Sequence, residues 1–284
     1  MPVKGVIVAA GYGTRFLPVT RCVPKEMLPL VDRPAIDFIA AEFEEAGIED
    51  VLIITSRRKK ALEDWFDRDP ELEAVFTAEK AWHKLDKSRP RNLRVHFVRQ
   101  PQMAGTGDAL LRAAAFAGSD PVVVAFPDDL FGNPNATSQL IDAWKETGCS
   151  VLAAQDLTGH DVSRYGVLDC VEEGEHLRVR GVVEKPAPGT EPSHYVSLGR
   201  YLYTPEFFPL LAEFKKSHGQ GEYYPMQAID KMAAQNTVVG TVLDAPRRDT
   251  GAPLGYMQAC IDEALSRPDL AGPLAEWLRV RLAQ

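Results

Sequence analysis

AAGYGTRFLPVTRCVPKEMLPL, residues 9–30, follows a largely apolar run that begins at Val3 and has the length of one β-strand. Gly11 and Gly13 come just beyond that run, where glycines let the backbone turn tightly and present its N–H groups to a ligand. Arg15 and Lys25 bring positive charge to the same loop. The loop thus has the composition of a polyphosphate cradle. It lacks the third glycine of a dinucleotide-binding fingerprint and the Gly-Lys-Ser/Thr ending of a P-loop.

The composition limits the classes of protein that this chain can belong to. Its 284 residues are 45% hydrophobic, which is enough for a large buried core. The formal net charge is -8, without a dense run of lysine and arginine, which argues against a nucleic acid as partner. The four cysteines are scattered, without the spacing of a metal site or a disulfide framework. No apolar run has the length of a membrane span or a signal peptide, so we expect a soluble, cytoplasmic protein with free thiols.

The first half of the chain alternates apolar runs with amphipathic stretches, which is the pattern of β-α-β units around a buried parallel sheet. The apolar runs predict strands at 5–9, 51–55, 94–98, 121–126 and 150–154. The amphipathic periodicity predicts helices at 35–46, 59–66, 107–117 and 138–147. Ligands bind beyond the carboxyl ends of the strands in such sheets, and both the glycine loop and Asp128 fall there. We therefore expect one active crevice.

The pattern changes after about residue 156. The segment YGVLDCVEEGEHLRVRGVVEKP, residues 165–186, alternates like a hairpin or mixed sheet, which predicts a small β lobe. Helical patterns return at 205–216, 224–234, 254–266 and 273–282. The last helix either caps the core or pairs with a second subunit, and we expect the cap. These patterns predict a single domain over 1–284, with a core at 1–156, a second portion at 157–265 and a C-terminal helix at 266–284.

The string GYGTRFLPVTRCVPKEMLPLVDRPAI, residues 11–36, resembles the signature of the sugar-1-phosphate nucleotidyltransferases. Its PKEMLPLVDRP part is most similar to the bacterial members that act on UTP and glucose 1-phosphate. The resemblance implies a Rossmann-like α/β fold, with a mixed, mainly parallel sheet flanked by helices and a small sugar-binding β lobe. It implies that Arg15 and Lys25 are catalytic. It also implies nucleotide binding by Ala10, Gly11, Gly13, Thr14 and Glu26.

Two aspartates are candidate ligands of a metal ion. PVVVAFPDDLFG, residues 121–132, places Asp128 just beyond an apolar strand, where a carboxylate suits Mg²⁺. From the residues alone, a helix cap or a turn is an equally good interpretation. The resemblance implies that Asp128 holds Mg²⁺. It also implies that Asp249, in RRDTGAPLGYMQA at residues 247–259, is the second ligand, although Asp-Thr-Gly by itself is commonly a turn.

Two further segments carry candidate binding residues. RQPQMAGTGDALL, residues 99–111, follows a strand and opens a helix. The resemblance implies that Gln100 and Gly105 read a pyrimidine base, whereas the residues alone also fit a surface turn capped by Thr106. In VVEKPAPG, residues 182–189, the residues alone indicate a solvated sheet edge. The resemblance implies that Glu184 accepts a hydrogen bond from a sugar hydroxyl and that Lys185 binds the sugar phosphate. It also implies that Lys185 is catalytic. Further sugar-contacting positions are matched by Tyr165, Gly166 and Gly199.

The chain also departs from the family pattern at four places. Arg21 and Pro253 stand where lysine is usual, Asp108 stands where histidine is frequent, and GEYYPMQAID at residues 221–230 replaces a more usual Gly-Glu-x-Gln-Leu-Thr-Asp-Ala. These changes bear on substrate preference more than on reaction type, because every charged candidate described above is present.

The resemblance implies that the chain transfers a uridylyl group from UTP to glucose 1-phosphate with Mg²⁺, without a covalent enzyme intermediate. One alternative is dTTP or another hexose 1-phosphate as substrate. Another is a non-catalytic regulatory protein that binds sugar nucleotides. A homo-oligomer, dimer or tetramer, is expected from likeness alone, and neither a nucleic acid nor a membrane is expected as a partner.

Overall fold

The computed structural model of this protein describes residues 1–283, which contain thirteen strands and eleven α-helices. The strands are β1 (Lys4–Val8), β2 (Pro29–Leu30), β3 (Arg33–Pro34), β4 (Asp50–Thr55), β5 (Arg94–Arg99), β6 (Val122–Ala125), β7 (Asp129–Phe131), β8 (Ser150–Asp156), β9 (Gly166–Glu173), β10 (His176–Glu184), β11 (Tyr195–Tyr203), β12 (Val238–Val242) and β13 (Arg247–Asp249). The α-helices are α1 (Ala35–Glu45), α2 (Lys60–Phe66), α3 (Pro70–Ala78), α4 (Trp82–Ser88), α5 (Thr106–Leu111), α6 (Ala114–Ala117), α7 (Ala136–Thr147), α8 (Phe207–Ser217), α9 (Met226–Ala234), α10 (Pro253–Ser266) and α11 (Ala271–Leu282).

Nine of these strands form one mixed sheet in the order β5-β4-β1-β6-β11-β8-β12-β10-β9. The first four are parallel, so their carboxyl ends lie at the same edge of the sheet. Strand β11 is antiparallel to both of its neighbours, β6 and β8, while β12 is parallel to β8. The sheet is therefore parallel throughout its β5-to-β6 half and mixed beyond it. Two short ladders, β13 with β7 and β2 with β3, lie outside this sheet.

The strands are buried on both faces because their apolar residues alternate between two core clusters. Along β6, Val123 and Ala125 join one cluster and Val122 and Val124 join the other. The first cluster includes residues of α1 and α7, and the second includes residues of α5, α8 and α9. Burial on both faces explains why these strands read as continuous apolar runs in the sequence.

Most of the elements predicted in the sequence are confirmed to within two residues at each end. The predicted helix at 107–117 is wrong as one element, because the chain forms two short helices, α5 and α6, with Arg112 and Ala113 between them. The predicted hairpin is confirmed, since β9 and β10 are antiparallel and turn at residues 174–175. It extends the main sheet through β12 rather than forming a separate β layer.

The C-terminal helix α11 packs against α10 and has no buried residue, and the Trp277 side chain is 59% exposed. The expectation that this helix caps the core is therefore wrong. The four cysteines are free, as expected. Within residues 1–283, no helix combines the length and the apolar character needed to cross a membrane.

Candidate active site

The glycine loop leaves the carboxyl end of β1 with its backbone N–H groups unused. Within residues 1–283, the amides from Ala10 to Thr14 donate no hydrogen bond. Gly13 has a φ of 68°, and its carbonyl accepts a hydrogen bond of 2.9 Å from the Thr20 hydroxyl. A Cβ at Gly13 would lie 3.2 Å from Thr20 and 3.3 Å from Lys25, so the loop is folded closely on the segment after it. Such free amides are suited to bind phosphate oxygens.

A cleft of about 350 Å³ opens beside this loop, between the glycine loop and the start of α5. Six of the seven predicted nucleotide-binding residues line it, namely Ala10, Gly11, Gly13, Thr14, Gln100 and Gly105. Sequence reasoning missed other residues of its lining, among them Tyr12, Met103, Glu222 and Tyr224. The structure therefore brings the predicted phosphate cradle and the predicted base-reading residues into one cleft.

Glu26, the seventh predicted nucleotide-binding residue, lies beneath the glycine loop and is 1% exposed. Its two carboxylate oxygens accept hydrogen bonds of 2.7 and 2.8 Å from Lys59 Nζ, which also donates to the carbonyl of Ala9. Burial lowers the pKa of Lys59 against the opposing attraction of Glu26. This buried pair holds the start of the glycine loop, and the predicted contact of Glu26 with a nucleotide stays a prediction.

Gln100 and Gly105 meet at the far end of the cleft. The Gln100 side-chain nitrogen donates to the Gly105 carbonyl at 3.1 Å and to Asp108 Oδ2 at 3.0 Å. Gly105 has a φ of 97°, and a Cβ there would lie 2.3 Å from the backbone oxygen of Tyr223. The backbone of Tyr223 is hydrogen-bonded to both sides of this loop, because its N–H donates to the Ala104 carbonyl and its carbonyl accepts from the Gly107 N–H. Gly105 also precedes α5 as its N-terminal cap, so Thr106 is not the cap.

Asp128 and Asp249, 121 residues apart in the chain, lie side by side. The short ladder of β7 and β13 pairs Asp129 with Asp249, and the Thr250 amide donates to the Asp128 carbonyl at 2.8 Å. A Cβ at Gly251 would be 3.0 Å from Asp128 Oδ2 and 3.0 Å from Asp249 Oδ1, so these two oxygens are at most about 6 Å apart. Because residue 251 is glycine, no side chain fills the space between the two carboxylates.

The cations of the glycine loop reach these acids. Lys25 Nζ donates to Asp128 Oδ2 at 2.7 Å, and an Arg15 nitrogen lies 3.4 Å from the Gly251 carbonyl oxygen. Burial by itself raises the pKa of Asp128, but Lys25, with Arg15 further away, holds that pKa below its usual value. Within residues 1–283, no group of three or more His, Cys, Asp or Glu side chains is placed to hold a metal. Two carboxylates nevertheless fit Mg²⁺, which takes its other ligands from phosphates and water.

Arg247, which the sequence analysis missed, connects the acids to the predicted sugar side. Its guanidinium bonds to Asp129 at 2.6 and 2.7 Å, lies 3.7 Å from Asp249 Oδ2, and lies 5.7 Å from the centre of the Tyr165 ring. Burial raises the pKa of Asp129 despite the opposing charge of Arg247. Gly199 donates its N–H to Asp129 at 2.8 Å, and a Cβ at Gly199 would lie 2.5 Å from that carboxylate. Gly199 thus makes room for Asp129, and its predicted contact with a sugar stays a prediction.

The other predicted sugar-side residues lie together at one end of the β9–β10 hairpin. Gly166 pairs with Glu184 across the hairpin, and a Cβ at Gly166 would be 3.1 Å from Glu184 Oε2. Lys185 donates its backbone N–H to the Tyr165 carbonyl at 2.9 Å. The Lys185 side chain is 66% exposed, and its Nζ lies 3.4 Å from Glu184 Oε1. This arrangement leaves Lys185 free to meet an anionic ligand.

Known proteins match this chain over nearly its whole length. The model of the nucleotidyl transferase family matches residues 4–264. The UTP–glucose-1-phosphate uridylyltransferase of Staphylococcus epidermidis is 38% identical over an alignment of 280 residues, and the match covers 97% of this chain and 97% of that protein. The crystal structure of the UTP-bound UGPase from Acinetobacter baumannii superposes with a TM-score of 0.88 at 32% identity, covering 99% of both chains. A UDP-glucose pyrophosphorylase in complex with UDP-glucose gives a TM-score of 0.80 at 34% identity, covering 94% of this chain and 100% of that one. The chain belongs to the nucleotidyl transferase family.

Proposed function

We propose that this protein transfers the uridylyl group of UTP to glucose 1-phosphate, giving UDP-glucose and pyrophosphate. The observation that carries the proposal is a chain of contacts that links three parts: an amide-lined cleft, a pair of carboxylates, and an exposed lysine at the end of the hairpin. Lys25 joins the glycine loop to Asp128, and Arg247 lies between Asp249 and the Tyr165 ring. Each part suits one participant of the reaction, namely the triphosphate, the metal ion and the sugar phosphate. The similar proteins named above are a UTP–glucose-1-phosphate uridylyltransferase and a UTP-bound UGPase, and the matches cover 97% and 99% of their lengths.

The nucleotide lies in the cleft with its base at Gln100 and Gly105 and its phosphates on the free amides of the glycine loop. Arg15 and Lys25 neutralise the charge of the phosphates, and Arg15 stabilises the leaving pyrophosphate. Asp128 and Asp249 would hold a magnesium ion. When bound, this ion supplies charge neutralisation at the phosphates of both substrates.

Glucose 1-phosphate binds at the end of the hairpin, with its phosphate on Lys185 and a sugar hydroxyl on Glu184. A phosphate oxygen of the sugar attacks the α-phosphorus of UTP in line, and the bond from the α-phosphorus to the bridging oxygen of the leaving pyrophosphate breaks. No base is needed because the attacking phosphate is already an anion. The residues therefore act by positioning and by charge, as in other phosphoryl-group transfers.

The kinetic pattern tests this direct route. Assays of pyrophosphate release by the full chain with UTP, glucose 1-phosphate and Mg²⁺ are expected to give intersecting initial-velocity lines. Isotope exchange between pyrophosphate and UTP is expected only when glucose 1-phosphate or UDP-glucose is present. Parallel lines, together with exchange in the absence of sugar, would indicate a covalent uridylyl-enzyme and would refute the direct route.

A pair of lysine variants tests the role of the hairpin. Lys185→Ala is expected to lower kcat/KM for glucose 1-phosphate by about a hundredfold or more, because a cation that meets developing charge is lost. The matched control is Lys216→Ala, which removes an exposed lysine of α8. The unfolding midpoint of both variants in urea is expected to equal that of the parent. Full activity of Lys185→Ala would remove this residue from the mechanism.

Substrate choice is tested by a panel of nucleotides against a panel of sugar phosphates. Uracil and thymine differ by one methyl group, so hydrogen bonds to the base edge do not separate UTP from dTTP. We propose UTP on the strength of the similar uridylyltransferases, and a higher kcat/KM with dTTP would overturn that choice.

A cytoplasmic location and a homo-oligomer stay expectations. Sedimentation of the full chain tests the oligomeric state.

A further inference from the structure

Asp108 lies on the first turn of α5, directly behind the base end of the cleft, and is 8% exposed. Its Oδ2 accepts a hydrogen bond of 3.0 Å from the Gln100 side-chain nitrogen. Two cations face the same carboxylate, with Arg112 at 3.5 Å and Lys215 at 3.9 Å. An aspartate carboxylate accepts hydrogen bonds and donates none.

These contacts determine which way the Gln100 amide points. A side-chain amide has two N–H donors on its nitrogen and an acceptor on its oxygen. Both donors are used, one by the Gly105 carbonyl at 3.1 Å and one by Asp108. Turning the amide over would bring the Gln100 oxygen against two acceptors, which is unfavourable in a buried place. Gln100 therefore has only its carbonyl oxygen left to offer to a base in the cleft that it lines.

A carbonyl oxygen discriminates between pyrimidines. The N3 position of uracil or thymine carries a hydrogen and donates, whereas N3 of cytosine carries a lone pair and accepts. An acceptor on the protein pairs with the first and opposes the second. A site that leaves buried polar groups unpaired with the wrong ligand discriminates more strongly than a site that relies on shape.

We infer that Asp108 is a positioning residue that orients the Gln100 amide and so makes the cleft prefer uracil or thymine to cytosine. This inference rests on the proposed function, because it takes Gln100 as the base-reading residue. Asp108 does not touch the nucleotide and acts through Gln100 alone. The surrounding structure holds the arrangement, since Gly105 is pressed against the backbone of Tyr223.

The test compares kcat/KM for UTP and CTP, with pyrophosphate release as readout, in the full chain and in variants. Asp108→Asn keeps the shape of the side chain but can offer an N–H donor in place of one acceptor, so only the Gly105 carbonyl then opposes a turn of the Gln100 amide. The ratio of kcat/KM for UTP over CTP is expected to fall by about tenfold or more, through KM, while kcat for UTP stays near that of the parent. Asp108→Glu, which only accepts, is expected to retain most of the ratio.

Two controls separate the outcomes. Asp142→Asn changes an exposed aspartate of α7 and is expected to leave the ratio unchanged. If Gln100→Ala leaves KM for UTP unchanged, the base-reading role in the proposed function fails. If Gln100→Ala raises that KM but Asp108→Asn keeps the UTP-to-CTP ratio of the parent, the role of Asp108 is overturned. Should Asp108→Asn not fold, Asp108→Ser, whose hydroxyl also donates, carries the same expectation.

Discussion

Gly105→Ala places a methyl group where the structure leaves no space for one. The added Cβ would lie 2.3 Å from the backbone oxygen of Tyr223 and 2.6 Å from its backbone nitrogen. Both are backbone atoms, so no side-chain rotation relieves the contact. The φ of 97° adds strain, because this region is unfavourable for any residue with a Cβ.

The size of the effect follows from these distances. Moving the Tyr223 oxygen from 2.3 Å to at least 3.0 Å requires a displacement of about 0.7 Å. That displacement lengthens the hydrogen bonds from Tyr223 to Ala104 and from Gly107 to Tyr223, now 2.7 and 2.9 Å, to the limit of hydrogen bonding. Two lost hydrogen bonds at about 1 kcal/mol each and a further 1–2 kcal/mol of backbone strain give a total of about 3–4 kcal/mol.

The assay is KM for UTP, measured by pyrophosphate release, together with urea unfolding. We expect the free energy of unfolding to fall by about 3–4 kcal/mol. We expect KM for UTP to rise by about tenfold to a hundredfold in the folded protein, because the backbone at the base end of the cleft is displaced. The matched control is Gly118→Ala, which also has a positive φ, 59°, but has no atom within 4 Å of the added Cβ. The control is expected to lose about 1–2 kcal/mol of stability through backbone strain and to keep the parent's KM for UTP. A Gly105→Ala variant with the parent's KM and stability would refute the packing argument.

Three further predictions concern the metal site, a pH effect and the core. Gly255→Ala puts a Cβ 2.0 Å from the Asp249 carbonyl oxygen and so displaces Asp249. The Mg²⁺ concentration for half-maximal rate should therefore rise about tenfold. Gly272→Ala, which has open space around the added Cβ, should leave that concentration unchanged. Burial raises the pKa of Asp37, but Arg91 and Arg33 outweigh it and hold that pKa below 3.8. Asp37 therefore contributes stability above pH 3.8 that is lost as the pH falls through the folded-state pKa, and Asp37→Asn should be less stable at pH 7 in urea yet lose less stability on acidification. Arg200→Met leaves Glu42 buried without its partner, so the free energy of unfolding should fall by about 3–5 kcal/mol while KM for UTP is unchanged in the folded fraction. The first prediction is contradicted if Gly255→Ala needs no more Mg²⁺ than the parent. The second is contradicted if Asp37→Asn loses as much stability on acidification as the parent, and the third if Arg200→Met unfolds with the parent's free energy.

Seven of the thirteen strands in residues 1–283 and most helices were predicted, because their patterns follow directly from burial. Residues 122–125 are buried on both faces and read as a continuous apolar run. By contrast, α3 has no buried residue and α4 has only Leu85, so neither shows a clear apolar stripe. The order of the strands was not predictable either, because nothing local in β11 specifies that it lies between β6 and β8.

The candidate site divides in a similar way. The glycine loop and the base-reading segment are local motifs, so the sequence and its resemblance to a family indicate them. The ion pairs behind them join residues that are 33 positions apart for Lys59 and Glu26, and 118 positions apart for Arg247 and Asp129. No local pattern reports such a pair. The only available signals were the basic run SRRKK directly after β4 and an arginine two residues before Asp249.

We propose that Asp128 and Asp249, two acids far apart in the sequence, share one metal ion beside the nucleotide cleft. The most direct measurement is anomalous diffraction from crystals of the full chain grown with Mn²⁺, as a substitute for Mg²⁺, and UDP-glucose. We expect an anomalous peak in contact with both Asp128 and Asp249. A peak that contacts neither aspartate, or only one of them, would contradict it.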